Sequence, residues 1–466
     1  MSKLPKRLEG LCVTDLSVEG KGIARYEERV VFIELAVVGD VVDVDVLRNK
    51  KTYLEARAVN WQTYSPDRVQ AKCLHFGTCG GCKWQQLNYP QQLVFKQKFA
   101  QDALERIGRI QLPQPETIVP SDRIYGYRNK LEFSASSRAW VTESEMQSDH
   151  FKWYPALGFH LPGRFDKILN IEHCDLQPEP SNLIRTTIRN LALELNICFY
   201  NARLKTGCLR TVMIRTAEDG SCMVLIQFFE WEEALIETFK KQLLKYRPEI
   251  SSLWFVHNQK GNDTLEGLQP RCVFGKEFLY ETLGKLCYKI SPASFFQTNT
   301  LQAKKMYDLI LEWSELQGHE IVYDLYTGTG TIALYLASKA KKVIGIEYVA
   351  AAIADAKENA QLNGIKNAHF FSGDMSLVYS ETFIKEQGPA DLVVLDPPRA
   401  GLHPRVIETL LQQSPPSIIY VSCNPATQAR DLAALDASYK VDRVRPLDLF
   451  PHTAHVEQMV RLRRRS

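Results

Sequence analysis

Cys423, in V-S-C-N-P-A-T, and Glu457, in D-L-F-P-H-T-A-H-V-E, are the residues whose types and settings could carry covalent chemistry. Cysteine attacks as the thiolate, and a carboxylate can accept the proton that a covalent intermediate must shed. The apolar run at 417–420 puts Cys423 just beyond a strand. Most cysteines are small buried hydrophobes. Here D-P-P-R-A-G lies one helix upstream, and a glycine-rich strand-turn-helix opens the same half of the chain, so the catalytic reading is the stronger one.

A crevice is expected in the same half. Residues 324–331 read D-L-Y-T-G-T-G-T, where Gly328 and Gly330 let backbone approach a ligand as strand turns into helix. The next three strands end in Glu347, Asp374 and Asp396, so an acid closes each of four consecutive strands. Glu347 is suited to accept hydrogen bonds from ribose hydroxyls. A crevice lined with carboxylates repels a diphosphate and favours a cofactor with hydroxyls and a positive charge, which is the character of S-adenosylmethionine. A dinucleotide is disfavoured further because the full G-x-G-x-x-G fingerprint is missing.

Cys73, Cys79 and Cys82 form C-x5-C-x2-C with two glycines between the last pair, and Cys174 in I-E-H-C-D-L is the plausible fourth ligand. Four thiolates suit zinc or an iron–sulfur cluster, spacing alone does not separate the two, and an unmetallated pocket of thiols is the third reading. Three ligands would leave an open iron; four close the site. Cys12, Cys198, Cys208, Cys222, Cys272 and Cys287 have no partner spacing and read as packing residues.

These groups need a scaffold, and 466 residues suggest about three domains. Residues 1–60 alternate β-branched runs with glycine-bearing turns, the pattern of a small β-barrel, and 62–72 reads as a connector. Residues 90–108 place Leu93, Lys96/Gln97, Ala100, Leu104 and Ile107 near helical spacing, with Gly108 suited to a C-cap; this helix is expected to pack on the last domain. The division expected is a barrel at 1–60, a central α+β domain at 61–290, and a doubly wound α/β domain at 291–466. With 45% hydrophobic and 24% charged residues the composition is that of a soluble protein, and no run is long enough to cross a bilayer. The N-terminus lacks the apolar core of a secretion signal, which points to a reducing cytoplasm. A net charge of +3 does not by itself indicate nucleic acid, and the basic runs at 48–51 and 461–465 read as solvated surface.

Together these motifs, with F-F-Q-T-N at 295–299, resemble the bacterial S-adenosylmethionine-dependent RNA 5-methyluridine methyltransferases, in particular their iron–sulfur 23S ribosomal RNA branch. The resemblance covers nearly the whole chain. It implies a TRAM-like (OB-like) β-barrel, a central domain holding the cluster, and a Rossmann-like class I methyltransferase domain. By that resemblance Cys423 is the nucleophile and Glu457 the proton acceptor, while Cys73, Cys79, Cys82 and Cys174 carry a [4Fe-4S] cluster. Gln297, Tyr326, Glu347 and Asp396 match cofactor-binding positions; Asp374 is added from its place at the end of the third strand. Tyr326 stands where many relatives have phenylalanine, which keeps an aromatic wall. Arg128 and Lys130 become candidate RNA contacts, and no obligatory protein partner is implied. The implied function is methylation of C5 of a uridine in 23S ribosomal RNA. The alternatives are a transfer RNA uridine methyltransferase, a non-catalytic RNA-binding or ribosome assembly factor, and an amino-group methyltransferase suggested by D-P-P-R.

Overall fold

The computed structural model describes residues 6–148 and 151–465. The first five residues of the N-terminal segment, which is expected to lack a secretion signal, lie outside that range.

The N-terminal strands form one six-stranded sheet spanning Arg7–Cys12 to Tyr53–Thr63, paired in the order first, fifth, sixth, fourth, third, second. Alternation makes it fold on itself, because every second side chain is apolar and seeks the same interior. Val31, Ile33, Val42, Val44, Leu54 and Ala56 fill that interior, each fully shielded from solvent.

A second sheet of seven strands is built on Leu209–Thr216 and Cys222–Phe228, both buried along their whole length. The helices Ser181–Glu194 and Glu233–Tyr246 supply Ile184, Ile188, Phe239 and Leu243 to its core. The hairpin Leu279–Leu283 and Leu286–Ile290 ends at the boundary expected for the last domain, yet its inner side chains Leu283, Tyr288 and Ile290 share a core with Val322, Ile332 and Leu334 beyond that boundary.

The third sheet is the doubly wound one. Its strands, in chain order Ile321–Leu325, Lys342–Glu347, Ala368–Ser372, Leu392–Leu395, Ser417–Ser422, Tyr439–Leu447 and Glu457–Arg464, lie side by side as three, two, one, four, five, seven, six. The first five are parallel, and the seventh runs antiparallel to the fifth and sixth. Strand order reverses between the first and fourth strands, and a crevice opens there at their carboxyl ends. The tail at 461–465 is only partly solvated charge. Through Arg464 it belongs to an inner strand, where Arg461 is buried and holds Glu315 at 2.5 Å and Asp442 at 2.8 Å, while Arg464 and Arg465 stay exposed, the latter paired with Asp436 at 2.9 Å.

The helix expected at 90–108 also differs in detail. It runs Tyr89–Ala103, capped by Asn88, and passes into a wider π turn at Leu104–Gly108. The left-handed terminating residue is Arg109 rather than Gly108, which instead lies against Ala429, where a Cβ would come within 3.3 Å of a carbonyl. Ile107 is half exposed, while Gln92 and Lys96 are completely buried. Leu104 joins the core on one face of the third sheet, and the π turn that carries it packs mainly on the helix Pro425–Leu435 that follows the fifth strand.

Candidate active site

Cys423 is the first residue past the fifth strand, and Glu457 is the first residue of the seventh. Those strands pair antiparallel, with Ser422 opposite Gln458 as the last matched residues. One step further along the register puts Cys423 against Glu457. Gln428 ties the two strands together by donating to the carbonyls of Tyr420 at 2.9 Å and Gln458 at 3.1 Å.

Asp396 follows the fourth strand and completes the group. Burial pushes its carboxyl up to about 7. Burial also raises Glu457 well above the ordinary carboxylate range, the nearby Asp396 charge adds to this, and Arg399 opposes it. Cys423 is likewise raised by burial and by Glu457 and Asp396, with Arg399 again pulling the other way. Two carboxyls and a thiol, each raised by burial, thus share one site beside a single guanidinium. Arg399 is held by its backbone, whose carbonyl accepts from Asn424 Nδ2 at 3.0 Å and Thr427 Oγ1 at 3.1 Å. Sequence reasoning gives Arg399 no role; its signal is its place three residues after Asp396 in D-P-P-R.

The glycine-rich turn forms beside the first strand. Tyr326 takes a left-handed conformation (φ 68°), and its amide and that of Thr327 both donate to the Ile346 carbonyl at 3.0 Å. A Cβ on Gly328 would meet nothing within 4 Å, so this turn leaves open space above it. Gly330 is different, since a Cβ there would come within 3.0 Å of Phe370 and Ala356. Glu347 accepts from the Gly328 amide at 3.2 Å through one oxygen and from the Val349 amide at 2.9 Å through the other. Asp374 caps the short helix Met375–Val378, accepting from Ser376 N at 2.8 Å and Ser376 Oγ at 2.7 Å. Its carboxylate is held below the usual range by those bonds, which already occupy Oδ1. Gln297 enters through its carbonyl, which accepts from Asn129 at 2.9 Å, and the neighbouring Phe295 carbonyl accepts from Thr329 Oγ1 at 3.4 Å.

Asp324 is the acid that sequence reasoning leaves unassigned. It is fully buried; Oδ2 accepts from Thr327 Oγ1 at 2.5 Å and Ala333 N at 2.9 Å, while Oδ1 has no partner. Burial lifts this carboxyl up to about 7. A buried acceptor without a donor is costly unless a ligand or water completes it.

Cys73, Cys79, Cys82 and Cys174 line one cavity of about 410 Å³, together with His75, Arg128 and Thr453. All four thiols are free. Burial raises each of them, Cys82 up to about 12 and Cys174 up to about 11, and the charges of their cysteine neighbours add to the rise at Cys79, Cys82 and Cys174. Among the described residues no three His, Cys, Asp or Glu side chains converge tightly enough to hold a single metal ion. Of the two candidate RNA contacts, Lys130 is paired with Glu132 at 2.9 Å, whereas Arg128 lies over the Phe450 ring at 5.5 Å with a buried, unpartnered Nε.

The chain is also similar to known proteins over the same residues. A family model described as tRNA (Uracil-5-)-methyltransferase matches residues 267–465, and one for the TRAM domain matches residues 11–59. An RNA methyltransferase of Bacteroides thetaiotaomicron, itself uncharacterized, is 47% identical over 96% of this chain and 99% of its own. A similarly described protein of Porphyromonas gingivalis is 42% identical over 97% and 99%. The crystal structure of Pyrococcus abyssi tRNA (uracil-54, C5)-methyltransferase in complex with S-adenosyl-L-homocysteine superposes with a TM-score of 0.75 at 30% identity, covering 98% of this chain and 100% of that one.

Proposed function

This chain belongs to the RNA (uracil-5-)-methyltransferase family, whose members depend on S-adenosylmethionine and here carry an N-terminal TRAM domain, and from that premise we propose that it methylates C5 of a uridine in 23S ribosomal RNA through a covalent bond to Cys423. The observation that carries this reading is the placement of Cys423 and Glu457 on adjacent strand ends, one register step beyond Ser422 and Gln458, with Asp396 close by. A non-catalytic RNA-binding protein would have no need for a nucleophile and a base so placed, and amino-group methylation needs no thiol.

S-adenosylmethionine, when bound, supplies an electrophilic methyl group on a sulfonium. The residues at the strand ends fit it: Gly328 leaves room, the free oxygen of Asp324 seeks a donor, and the crevice acids suit a cation. Gln297, Tyr326, Glu347 and Asp396 are proposed to line it, with Asp374 at the edge because its Oδ1 already caps a helix. Uracil C5 is a weak nucleophile, so the thiolate of Cys423 adds to C6 and makes C5 enolate-like. C5 then takes the methyl group, Glu457 removes the C5 proton, and the Cys423–C6 bond breaks to release methylated RNA. Asp396 is placed to hold either the cofactor or the uracil edge. The uridine must leave its stack to reach Cys423.

Cys73, Cys79, Cys82 and Cys174 are proposed to hold a [4Fe-4S] cluster, closed by four thiolates and so suited to structural or redox-sensing duty. What supports this reading is that all four cysteines line one cavity of about 410 Å³. None of the eleven cysteines is in a disulfide, which suits the proposed cytoplasmic setting; no helix among the described residues is long and apolar enough to cross a membrane.

A transfer RNA target is the second reading, favoured by the Pyrococcus abyssi neighbour named for uracil 54 of tRNA. Mapping 5-methyluridine in total RNA from cells with and without this chain separates the two. Loss of a 23S site supports the first reading, loss of a tRNA site the second, and an unchanged map overturns both.

A further inference from the structure

The segment between the sixth strand and Glu457 is held to an unusual degree. Four successive carbonyls, from Leu449 to His452, each accept a hydrogen bond from a different part of the chain. Leu449 takes Asn299 Nδ2 at 2.9 Å, Phe450 takes Lys96 Nζ at 2.9 Å, and Pro451 takes the Tyr127 hydroxyl at 3.1 Å. His452 takes two donors, the amides of Lys83 at 2.8 Å and Trp84 at 3.1 Å. Those two amides directly follow Cys82, so the cysteine loop is bonded to the strap that leads to Glu457. Thr453, the next residue, lines the cysteine cavity itself.

His452 is also in the left-handed region, with φ 65°. Glycine is the residue that adopts this conformation freely, so a histidine here is retained against a backbone preference. Its backbone amide and its ring are both held in place. The Gln92 amide oxygen accepts from the His452 amide at 2.9 Å, Gln92 Nε2 lies 3.2 Å from the His452 Nδ1, and the ring stacks on Tyr125 with centroids 4.3 Å apart. Gln92 Nε2 also donates to the carbonyls of Trp84 at 3.0 Å and Leu87 at 2.8 Å, closing the same loop from the other side.

We propose that His452 is a positioning residue that joins the cysteine loop to the base-bearing strap, so that the state of the four-cysteine site sets where the Glu457 carboxyl stands. The inference rests on the reading of Glu457 as the proton acceptor. A shift of the strap leaves Cys423, on the neighbouring strand, in place and moves only its partner. Its signature is therefore a defect in resolving the covalent intermediate, with formation of that intermediate spared.

The test uses the full-length protein, purified without oxygen, with methyl-labelled S-adenosylmethionine and total RNA from cells lacking this chain. His452→Gly keeps the backbone bonds to Lys83, Trp84 and Gln92 but deletes the ring that stacks on Tyr125 and restores full backbone freedom, so the fold should tolerate it while the strap loses its fixed position. It is expected to form methylated Cys423–RNA adduct normally and release it on the order of a hundredfold more slowly, the loss that attends misplacement of a reacting group by about 1 Å. His452→Asn, which tolerates the left-handed backbone and keeps hydrogen-bonding capacity, is expected to recover most of the release rate. Hydrogen exchange supplies a readout independent of activity: Cys79→Ser, whatever group the cysteines hold, is expected to speed exchange at the amides of Lys83, Trp84 and His452 and along the strap to Glu457. Parental release by His452→Gly, or unchanged exchange along the strap in Cys79→Ser, overturns the proposal. Glu457→Gln run in parallel distinguishes the two failures. If that variant itself releases product at the parental rate, the reading of Glu457 is wrong; if it accumulates adduct while His452→Gly does not, only the positioning role fails.

Discussion

A thiol set among buried carboxyls ionises late, and that fact shapes the chemistry at the residue scale. Cys423 and Glu457 both work as bases or anions, yet both are raised by burial. Turnover is therefore expected to climb with rising pH through neutrality and on into the alkaline range, because the reactive form of each group appears only as its proton leaves. A kcat/KM profile flat from neutral to alkaline pH would contradict the assignment. The Glu457 charge is among the causes that raise Cys423, so Glu457→Gln removes it and lets the thiolate form at lower pH. Adduct formation by that variant should accordingly rise at lower pH than in the parent, as a pH series of quenched adduct gels would show. Cys423→Ala should lose methyl transfer entirely and still bind S-adenosylmethionine, measured calorimetrically, since it removes the nucleophile and none of the proposed cofactor contacts.

At the scale of elements, the contacts that hold the catalytic strap are those a sequence hides. Lys96 and Asp448 are 2.5 Å apart and completely buried, though far apart along the chain. Helical spacing over 90–108 puts Lys96/Gln97 and Ile107 on the inward face; the protein buries Lys96, leaves Ile107 half exposed, and also buries Gln92, which the spacing does not mark. Nothing local signals the partners, because each buried polar group is matched from the distant strap. Lys96→Met strands the Asp448 charge and should cost about 3–5 kcal/mol, the usual consequence of breaking a buried pair. The urea midpoint should fall accordingly; an unchanged midpoint would mean the pair contributes little. The acids at strand ends were legible for the opposite reason, since their positions follow from short periodic runs each ending in a charged residue. Asp374 shows the limit of that argument, because its position came out as expected and its Oδ1 turned out to cap a helix.

Across the whole molecule, three sheets bring together residues that lie far apart in sequence. The doubly wound, parallel character of the third sheet followed from regular alternation of strands and helices, whereas the antiparallel seventh strand did not. The course of the basic tail did not, because R-L-R-R-R carries no mark of an inner strand until its acidic partners Glu315, Asp436 and Asp442 are in place. Asp324 and Asp396 are both raised to about 7 by burial. The folded chain then holds protons that the unfolded chain releases, so their contribution is present at lower pH and is lost as pH rises through about 7. Melting temperature without cofactor should fall between about pH 4 and about pH 7 and level off above that, and S-adenosylmethionine should stabilise more at the upper end by favouring the charged carboxylates. Anaerobic protein should be brown, and Cys79→Ser should lose that colour; stoichiometric zinc without iron or sulfide would instead establish the zinc reading.

The central claim is a bond between Cys423 and C6 of a uridine, and 5-fluorouridine tests it most directly. Fluorine at C5 cannot leave as a proton does, so Glu457 has nothing to remove and the intermediate cannot resolve. Protein incubated with fluorouridine-substituted RNA and S-adenosylmethionine should yield a stable adduct, and digestion followed by mass spectrometry should find a methylated fluorouridine nucleotide on the peptide containing Cys423. Uridine RNA methylated at C5 with no trapped species from the fluorinated RNA, or a nucleotide attached to any other residue, would contradict the account.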